Sequence, residues 1–301
     1  MSDLPPRRAD ELLRAAIGHL QLAGVPDPRV DAELLLGHVL GTSRGRAQAI
    51  ALIGSNLPLP VAAHYRQLVL RRGLREPLQH LTGVAGFRRI ELTVGPGVFV
   101  PRPETEVLVE HALLGLPEGG RAVDLGTGSG AIALSIAVER RDAEVIGVER
   151  SPEAFAWADR NRDRLGAANA LILLGDLADA LPEWDGTVDV VVSNPPYVPD
   201  GMIPRDPEVE RFDPAAALYG GPDGLDPMRA VEATARRLLK PGGLLAVEHG
   251  ELQGAEVRAL LGQSWQDAAT HPDLTGRDRV TTARIREHRL PARETRGAPL
   301  P

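Results

Sequence analysis

Residues 122 to 130 read Ala-Val-Asp-Leu-Gly-Thr-Gly-Ser-Gly, and this stretch decides the fold. Its first four residues have the apolar character of a buried strand, and a helical pattern follows from Ala131 to Arg140. The glycines in between permit positive φ angles and let a ligand approach the backbone closely. The stretch therefore predicts a strand, a ligand-binding turn and a helix, which is the repeating unit of a parallel α/β sheet.

The chain downstream alternates strand and helix patterns, and this order is typical of a doubly wound, mostly parallel sheet. Including the strand at 122–125, seven strands are expected. The other six are predicted at 144–149, 171–174, 188–192, 244–248, 268–274 and 280–286. Helices are predicted at 107–114, 152–165, 225–239 and 251–261, with a Pro-Gly-Gly turn at 241–243.

The residues before this region predict a separate helical bundle. Apolar residues recur at i, i+3 and i+4 in four segments, at 9–23, 30–40, 47–53 and 60–72. Partial alternation and a Gly-Pro-Gly turn at 95–97 then favour a β-hairpin. We therefore expect four parts: a helical substrate-docking domain at 1–76, a β-hairpin linker at 77–100, a catalytic domain at 101–288 and a disordered tail at 289–301.

Composition narrows the class of function. The chain of 301 residues has a net charge of −7 and no cysteine, and Lys240 is its only lysine. A nucleic-acid binder usually has a basic excess, so direct binding of nucleic acid is not expected. A solvated helix face is the favoured interpretation of four arginines, and a local basic surface is the alternative: Arg66, Arg71, Arg72 and Arg75. No apolar stretch approaches the ~18 residues of a membrane span. With no apolar segment behind the N-terminus, we expect a soluble protein of the cytoplasm.

The spacing of the glycines and the position of Glu149 indicate which kind of nucleoside ligand the loop could bind. A dinucleotide fingerprint is Gly-x-Gly-x-x-Gly, whereas here the third glycine, Gly130, comes one position early. Glu149 ends the next predicted strand, where a carboxylate can bind two ribose hydroxyls. The alternative is a tight strand-to-helix turn beside a solvated strand end.

The sequence Asn194-Pro195-Pro196-Tyr197 follows the apolar strand at 188–192. Two prolines fix φ near −65° and remove two backbone donors, so this turn is stiff. It can present an amide side chain, free carbonyls and an aromatic face to a planar NH2 group. Oxygen atoms that accept both N–H bonds of an amide would turn its nitrogen lone pair toward an electrophile.

The Asp-x-Gly-x-Gly-x-Gly form resembles the S-adenosylmethionine loop of class I methyltransferases. That resemblance implies a Rossmann-like fold and S-adenosyl-L-methionine as cofactor. It implies that the loop holds the methionine end and Glu149 the ribose, while an acidic and an apolar residue lie against adenine. The cofactor-binding residues implied are Gly126, Thr127, Gly128, Ser129, Gly130, Glu149, Asp176, Leu177 and Asn194.

The Asn-Pro-Pro-Tyr turn resembles that of amino-methyltransferases. Together with the stretches 77–83, 99–106, 218–225, 248–253 and 273–280, it is similar to the HemK-like protein-(glutamine-N5) methyltransferases. The resemblance implies methylation of the Gly-Gly-Gln glutamine of class-1 peptide chain release factors. It implies a catalytic role for Asn194, Pro195, Pro196 and Tyr197. It also implies that Phe99 and the Pro-Arg-Pro-Glu-Thr loop at 101–105 shape the cofactor pocket. His80 and His249 are expected to be structural, and no metal is expected.

Three alternatives stay open at this stage. The first is the same reaction on another translation protein, such as a ribosomal protein. The sequence distinguishes this poorly from methylation of a release factor. A DNA adenine-N6 methyltransferase shares the Asn-Pro-Pro-Tyr turn, although the net charge of −7 argues against it. A non-catalytic nucleotide-binding module comes last, because it gives no reason for Asn194 and Tyr197.

Overall fold

The structure is a computed structural model, and it describes residues 7–286. The helices are α1 (Ala9–Leu22), α2 (Pro28–Val39), α3 (Arg44–Ile53), α4 (Leu59–Gly73), α5 (Leu78–Thr82), α6 (Glu106–Gly115), α7 (Ala131–Glu139), α8 (Pro152–Leu165), α9 (Pro207–Phe212), α10 (Asp226–Leu238) and α11 (Gly254–Leu261). The strands are β1 (Val84–Phe87), β2 (Ile90–Thr93), β3 (Arg121–Leu125), β4 (Glu144–Glu149), β5 (Ala170–Leu174), β6 (Val188–Ser193), β7 (Leu239–Glu248), β8 (Trp265–Pro272) and β9 (Asp278–Ile285).

The described chain divides into two compact units. The first, here called the helical unit, runs to Pro101 and also contains Gly201–Leu218. The second, here called the sheet unit, contains Arg102–Asp200 and the residues from Tyr219 onward. The predicted tail at 289–301 lies outside the described residues.

The helical unit is built on α1 to α4, as the apolar spacing predicts. Its core contains fully buried leucines such as Leu20 and Leu35, together with Tyr65. Tyr65 donates a hydrogen bond of 3.0 Å to the Ala32 carbonyl, so its polar end is satisfied inside the core. Ser43 caps α3 by accepting from the Arg46 amide, as serine does at many helix starts.

The predicted hairpin is present, but its turn is not at residues 95–97. Strands β1 and β2 pair antiparallel, with Val84 opposite Thr93, and Arg88 and Arg89 form the turn between them. Two-residue hairpin turns favour positive φ, which Arg88 adopts at 48°. The Gly-Pro-Gly turn comes after β2, because the strand pairing has already ended at Thr93.

A segment distant in sequence completes the helical unit. Within it, α9 carries Glu208, whose carboxylate accepts hydrogen bonds from Arg72 Nη1 at 2.8 Å and Arg75 Nε at 2.7 Å. Arg72 also donates to Asp31 Oδ2 at 2.6 Å. The prediction of a solvated arginine face is therefore wrong for Arg72 and Arg75, because their charges are paired inside the unit.

The sheet unit contains seven strands in the order β5-β4-β3-β6-β7-β9-β8. Five of them, from β5 to β7, are parallel, and β9 runs antiparallel to both of its neighbours. This confirms the predicted doubly wound, mostly parallel sheet. The predicted Pro-Gly-Gly turn at 241–243 lies inside β7 as a bulge, because Val188 pairs with Leu239 while Val190 pairs with Leu244.

Two features of the sheet unit determine where a ligand can bind. All six residues of β6 are buried, as expected for a central strand covered on both faces. The strand order reverses between β3 and β6, since β4 and β5 lie on one side of that pair and β7 on the other. In open α/β sheets the ligand crevice lies at the carboxyl ends of the strands at this reversal point.

Candidate active site

The glycine loop and the Asn-Pro-Pro-Tyr turn start side by side at the reversal point. Asp124 pairs with Val192 in the parallel register of β3 and β6. One residue later, the Ser193 hydroxyl donates a hydrogen bond of 2.6 Å to the Leu125 carbonyl. The next residues are Gly126 and Asn194. The two predicted motifs thus leave neighbouring strands at the same level.

The three glycines of the loop all adopt positive φ angles, of 78° at Gly126, 58° at Gly128 and 86° at Gly130. A Cβ built on Gly126 or Gly128 would meet no atom within 4 Å, so both leave an open cradle. A Cβ on Gly130 would lie 2.7 Å from Leu134 Cδ1. The first two glycines therefore make room for a ligand, and the third makes room for the helix that follows.

Glu149 lies at the end of β4 with its carboxylate next to the loop. Its Oε2 accepts from the Gly128 amide at 2.9 Å, and its Oε1 accepts from the Ser151 amide at 2.8 Å. These bonds fix the side chain in place. A carboxylate has about four acceptor positions, so each oxygen retains the capacity to accept another hydrogen bond, for example from a hydroxyl.

Asp124 supports the loop from beneath. It is fully buried, and its Oδ2 accepts from Thr127 Oγ1 at 2.5 Å and from the Ala133 amide at 3.2 Å. Burial raises the pKa of Asp124 to about 7, although the bond from Thr127 opposes this effect. The Thr127 hydroxyl is therefore directed to Asp124, while the Ser129 carbonyl accepts from the Asn161 amide at 3.0 Å.

Three other predicted cofactor residues lie outside the glycine loop, and two of them, Asp176 and Leu177, follow the end of β5 beside Glu149. Asp176 follows β5 and is exposed, and its Oδ1 accepts from the Ala178 amide at 2.9 Å, so it acts as a local cap. Leu177 is half-buried and packs against the core of the sheet unit. Phe99 belongs to the helical unit and is half-buried. Cofactor contacts by these residues stay predictions.

The Asn-Pro-Pro-Tyr turn is held by close backbone packing. Pro195 is buried, whereas Asn194, Pro196 and Tyr197 are half-buried. The Tyr197 carbonyl accepts a hydrogen bond of 3.1 Å from Gln253 Nε2. A second loop also packs against the turn: a Cβ on Gly220 would lie 2.6 Å from the Pro196 carbonyl oxygen, and one on Gly224 would collide with the Tyr197 carbonyl.

A buried polar cluster lies behind Asn194. Asn194 Nδ2 donates to Thr105 Oγ1 at 3.3 Å. The carboxylate of Glu248, which is 1% exposed, lies beside both residues, and its Oε2 has no hydrogen-bond partner in the described structure. Burial raises the pKa of Glu248 to about 7, while the bonds from Thr105 and Asn194 and the charge of Arg279 oppose the shift. Burial, followed by the charge of Glu248, also raises the pKa of Tyr197.

From sequence, Thr105 is expected only as a helix start and as part of a loop in the cofactor pocket, and Asp124 and Glu248 are given no separate role. Asp124 and Glu248 could have been found from sequence, because each is an acidic residue at or near the end of an apolar strand, β3 or β7. Glu149 has the same position at the end of β4. No local pattern predicts the contact of Thr105 with Asn194, because the two residues are 89 positions apart in the sequence.

His249 has the structural role that the sequence predicts. It is fully buried, and its Nδ1 lies 2.8 Å from the Gly250 carbonyl oxygen and its Nε2 2.8 Å from Thr281 Oγ1. A carbonyl only accepts, so Nδ1 carries the proton and Nε2 accepts from the threonine. Within residues 7–286 no group of three or more His, Asp or Glu side chains is arranged to hold a metal ion. None of the helices described there has the length and apolar character needed to cross a membrane.

Comparison with known proteins gives consistent matches. A family model described as "Methyltransferase domain" matches residues 116–280, and one described as "PrmC N-terminal domain" matches residues 11–83. The chain is 46% identical to the release factor glutamine methyltransferase of Streptomyces coelicolor, over 87% of this chain and 92% of that protein. It is 47% identical to the protein of that name from Mycolicibacterium smegmatis, over 90% of this chain and 95% of the other. Among solved structures, M. jannaschii TYW2 in complex with AdoMet is 12% identical, covers 68% of this chain and 86% of its own, and gives a TM-score of 0.45.

Proposed function

The chain belongs to the family of release factor glutamine methyltransferases, and from this membership we propose how its residues perform the reaction. It is an S-adenosylmethionine-dependent methyltransferase that methylates glutamine in release factors. The acceptor we propose is the side-chain nitrogen, N5, of the Gly-Gly-Gln glutamine in class-1 release factors. Translation takes place in the cytoplasm, and we propose that compartment.

The residues at the reversal point fit S-adenosylmethionine. Gly126 and Gly128 leave open space where any side chain would intrude, and Glu149 has lone pairs available beside them. We assign the methionine end to the loop of Gly126–Gly130 and the ribose hydroxyls to Glu149. When bound, the sulfonium supplies an electrophilic methyl group.

The turn at Asn194 orients the substrate amide. An amide nitrogen is a weak nucleophile because its lone pair is delocalised into the carbonyl group. The Asn194 side-chain oxygen and the Pro195 carbonyl each accept one N–H bond, which directs the lone pair toward the methyl group and places negative dipoles where positive charge develops. The stiff Pro195-Pro196 backbone holds both acceptors in place, and Tyr197 packs against the planar group.

One observation supports this assignment most strongly. The glycine loop and the Asn-Pro-Pro-Tyr turn begin next to each other, at the ends of the adjacent strands β3 and β6. The bond from Ser193 to Leu125 ties the strand that carries the cofactor loop to the strand that carries the acceptors. Methyl transfer requires donor and acceptor to be in line and close together, and adjacent strand ends provide this arrangement.

A methylation assay on purified release factor tests the proposal. Mass spectrometry should show one methyl group on the Gly-Gly-Gln glutamine after incubation with enzyme and cofactor. Asn194→Ala should lower kcat by about 100-fold or more, because an amide acceptor is lost, while calorimetry shows cofactor affinity within a few-fold of wild type. An unmodified glutamine after incubation with cofactor-binding wild-type enzyme would contradict the substrate assignment, and modification of a ribosomal protein instead would identify the alternative target.

We also propose that the helical unit docks the release factor, since a single glutamine offers little contact area. Supporting this, Leu52 and Ile53 end α3 with 90% and 78% of their surface exposed. Replacing both with Asp should raise KM for intact release factor without changing cofactor affinity. Leu114→Asp, at a site in the sheet unit that is 79% exposed, is the matched control. An unchanged KM in the double variant would contradict docking at this surface.

A further inference from the structure

The carboxylate behind the catalytic turn lies at a position defined by strand register. Ser193 of β6 pairs with Val247 of β7, so the next residues along each strand are Asn194 and Glu248. Glu248 in turn pairs with Val280 of β9, which brings Arg279 to the same edge of the sheet. A fully buried acid is costly in free energy, and such groups are rarely present without a partner or a function.

The hydrogen bonds in this cluster have only one consistent direction when Glu248 is ionised. Hydrogen bonding with Thr105 lowers the pKa of Glu248, and a carboxylate accepts and never donates, so in that interaction the threonine hydroxyl is the donor. The Thr105 oxygen is then an acceptor for Asn194, and its partner at 3.3 Å is the Asn194 NH2 group. Hydrogen bonding with Asn194 also lowers the pKa of Glu248, which favours the ionised carboxylate. The NH2 group of Asn194 is therefore held on the inner side of the turn.

An amide group has its oxygen opposite its NH2 group. With NH2 directed at Thr105 and Glu248, Asn194 Oδ1 points away from the cluster. The reaction requires this orientation, because the substrate amide brings two N–H donors and needs acceptors to receive them. With the amide rotated by 180°, an NH2 group would face the N–H donors of the substrate and repel them.

We propose that Glu248, acting through Thr105, is a positioning residue that sets the orientation of the Asn194 amide for catalysis. This inference rests on the proposed role of Asn194 as the acceptor of the substrate N–H bond. Glu248 itself does not touch the substrate. Its role is to direct the side-chain oxygen of Asn194, and not the NH2 group, toward the substrate.

The charges around Glu248 determine the pH range in which it is protonated. Arg279 from β9 favours the ionised carboxylate, whereas Glu104, which precedes α6, disfavours it, and Tyr197 of the turn lies within the same electrostatic group. A protonated Glu248 can donate to Thr105, and the bond direction in the cluster is then no longer fixed. With a pKa raised to about 7, protonation occurs as the pH falls through neutrality, so kcat should decrease on the acidic side.

The test uses the full-length enzyme with release factor and cofactor, and compares kcat, KM and the pH profile of kcat. Glu248→Gln keeps the shape of the side chain, but glutamine can both donate and accept. The direction of the hydrogen bonds to Thr105 and Asn194 is then no longer fixed. We expect kcat to fall by about 10- to 100-fold, with KM for release factor and cofactor Kd within about threefold of wild type. The acidic decline in kcat should also become shallower.

Thr105 provides a second and independent pair of variants. Thr105→Val has nearly the same shape and lacks the hydroxyl, so it should reproduce the fall in kcat. Thr105→Ser retains the hydroxyl and should recover most of what Thr105→Val loses. If Glu248→Gln does not fold, as judged by thermal unfolding, this pair decides the question.

Each outcome can be assigned to one hypothesis. Wild-type enzyme that methylates release factor, together with an inactive Asn194→Ala, establishes the proposed function. With that result in place, a Glu248→Gln enzyme with the kcat and the pH profile of wild type overturns the positioning role, as does a Thr105→Val enzyme as active as Thr105→Ser. If Asn194→Ala is itself fully active, the proposed catalytic role fails instead.

Discussion

The Ser193 hydroxyl donates a hydrogen bond of 2.6 Å to the Leu125 carbonyl, and so joins the last residue of one central strand to the last residue of its neighbour. Ser193→Ala leaves that buried carbonyl without this donor. We expect the free energy of unfolding to fall by about 1 to 3 kcal/mol and kcat to fall with it, because the loop and the turn lose their shared anchor. Urea unfolding and the methylation assay measure the two effects.

Ser135→Ala is the matched control for that variant. Ser135 is also a buried serine of the sheet unit, but its hydroxyl has no hydrogen-bond partner in the described structure. Removing it should leave stability unchanged or slightly higher. If both alanine variants lose equal stability, the bond to Leu125 is not the cause.

Gly128 and Gly166 allow a test of the cofactor cradle. Both have nearly the same φ, 58° and 59°, and a Cβ on either would meet nothing within 4 Å. Alanine at either position should therefore cost about 1 kcal/mol of stability from the left-handed backbone. Only Gly128→Ala should also weaken cofactor binding, by tenfold or more in calorimetry, because its methyl group enters the cradle. Equal affinities in the two variants would place the cofactor elsewhere.

Asp124 should make the protein less stable as the pH rises. Its pKa is raised to about 7 in the folded state, whereas an unfolded aspartate has a pKa near 3.9. The folded state thus binds more protons between these values, so its stability is greatest at the acidic end and falls as the pH approaches 7. Asp124→Asn should flatten this dependence by an amount on the order of 1 to 4 kcal/mol between pH 4 and 7. Urea midpoints measured across that range provide the test, and an unchanged slope would show that Asp124 titrates normally.

Adjacent arginines in α4 should differ sharply in their contribution to stability. The Arg72 side chain is 7% exposed and lies between Asp31 and Glu208, whereas the Arg71 side chain is 51% exposed and pairs with Glu76. Arg72→Ala leaves two buried carboxylates with one partner fewer and should cost about 3 to 5 kcal/mol. Arg71→Ala should cost less than about 1 kcal/mol. Thermal unfolding of both variants is the measurement, and equal shifts would mean that the buried network contributes little.

Local patterns were sufficient to predict most of the architecture. The doubly wound, mostly parallel sheet follows from strand–helix alternation, because right-handed crossovers leave few topologies available. The glycine loop, Glu149 and the turn at Asn194 could all be found for a related reason, since residues that end parallel strands meet at one edge of the sheet.

The errors and omissions involve contacts between residues far apart in sequence. Arg72 and Arg75 look like surface residues in their own helix, but their partner Glu208 lies more than 130 positions away. Thr105 acquires its importance only from Asn194 and Glu248, which other elements bring to it. Similarly, α11 begins at Gly254 rather than at Glu251, since the Gln253 side chain binds the Tyr197 carbonyl of the catalytic turn.

The discontinuous helical unit has a consequence for protein engineering. The chain enters Gly201–Leu218 four residues after Tyr197 of the Asn-Pro-Pro-Tyr turn, and there Glu208 pairs with Arg72 and Arg75. A chimera that replaced only the first hundred residues with those of a relative would pair a foreign helix α4 with the native Glu208. A transferable helical unit therefore consists of two segments with three junctions, and grafting that unit from a relative requires moving both segments together.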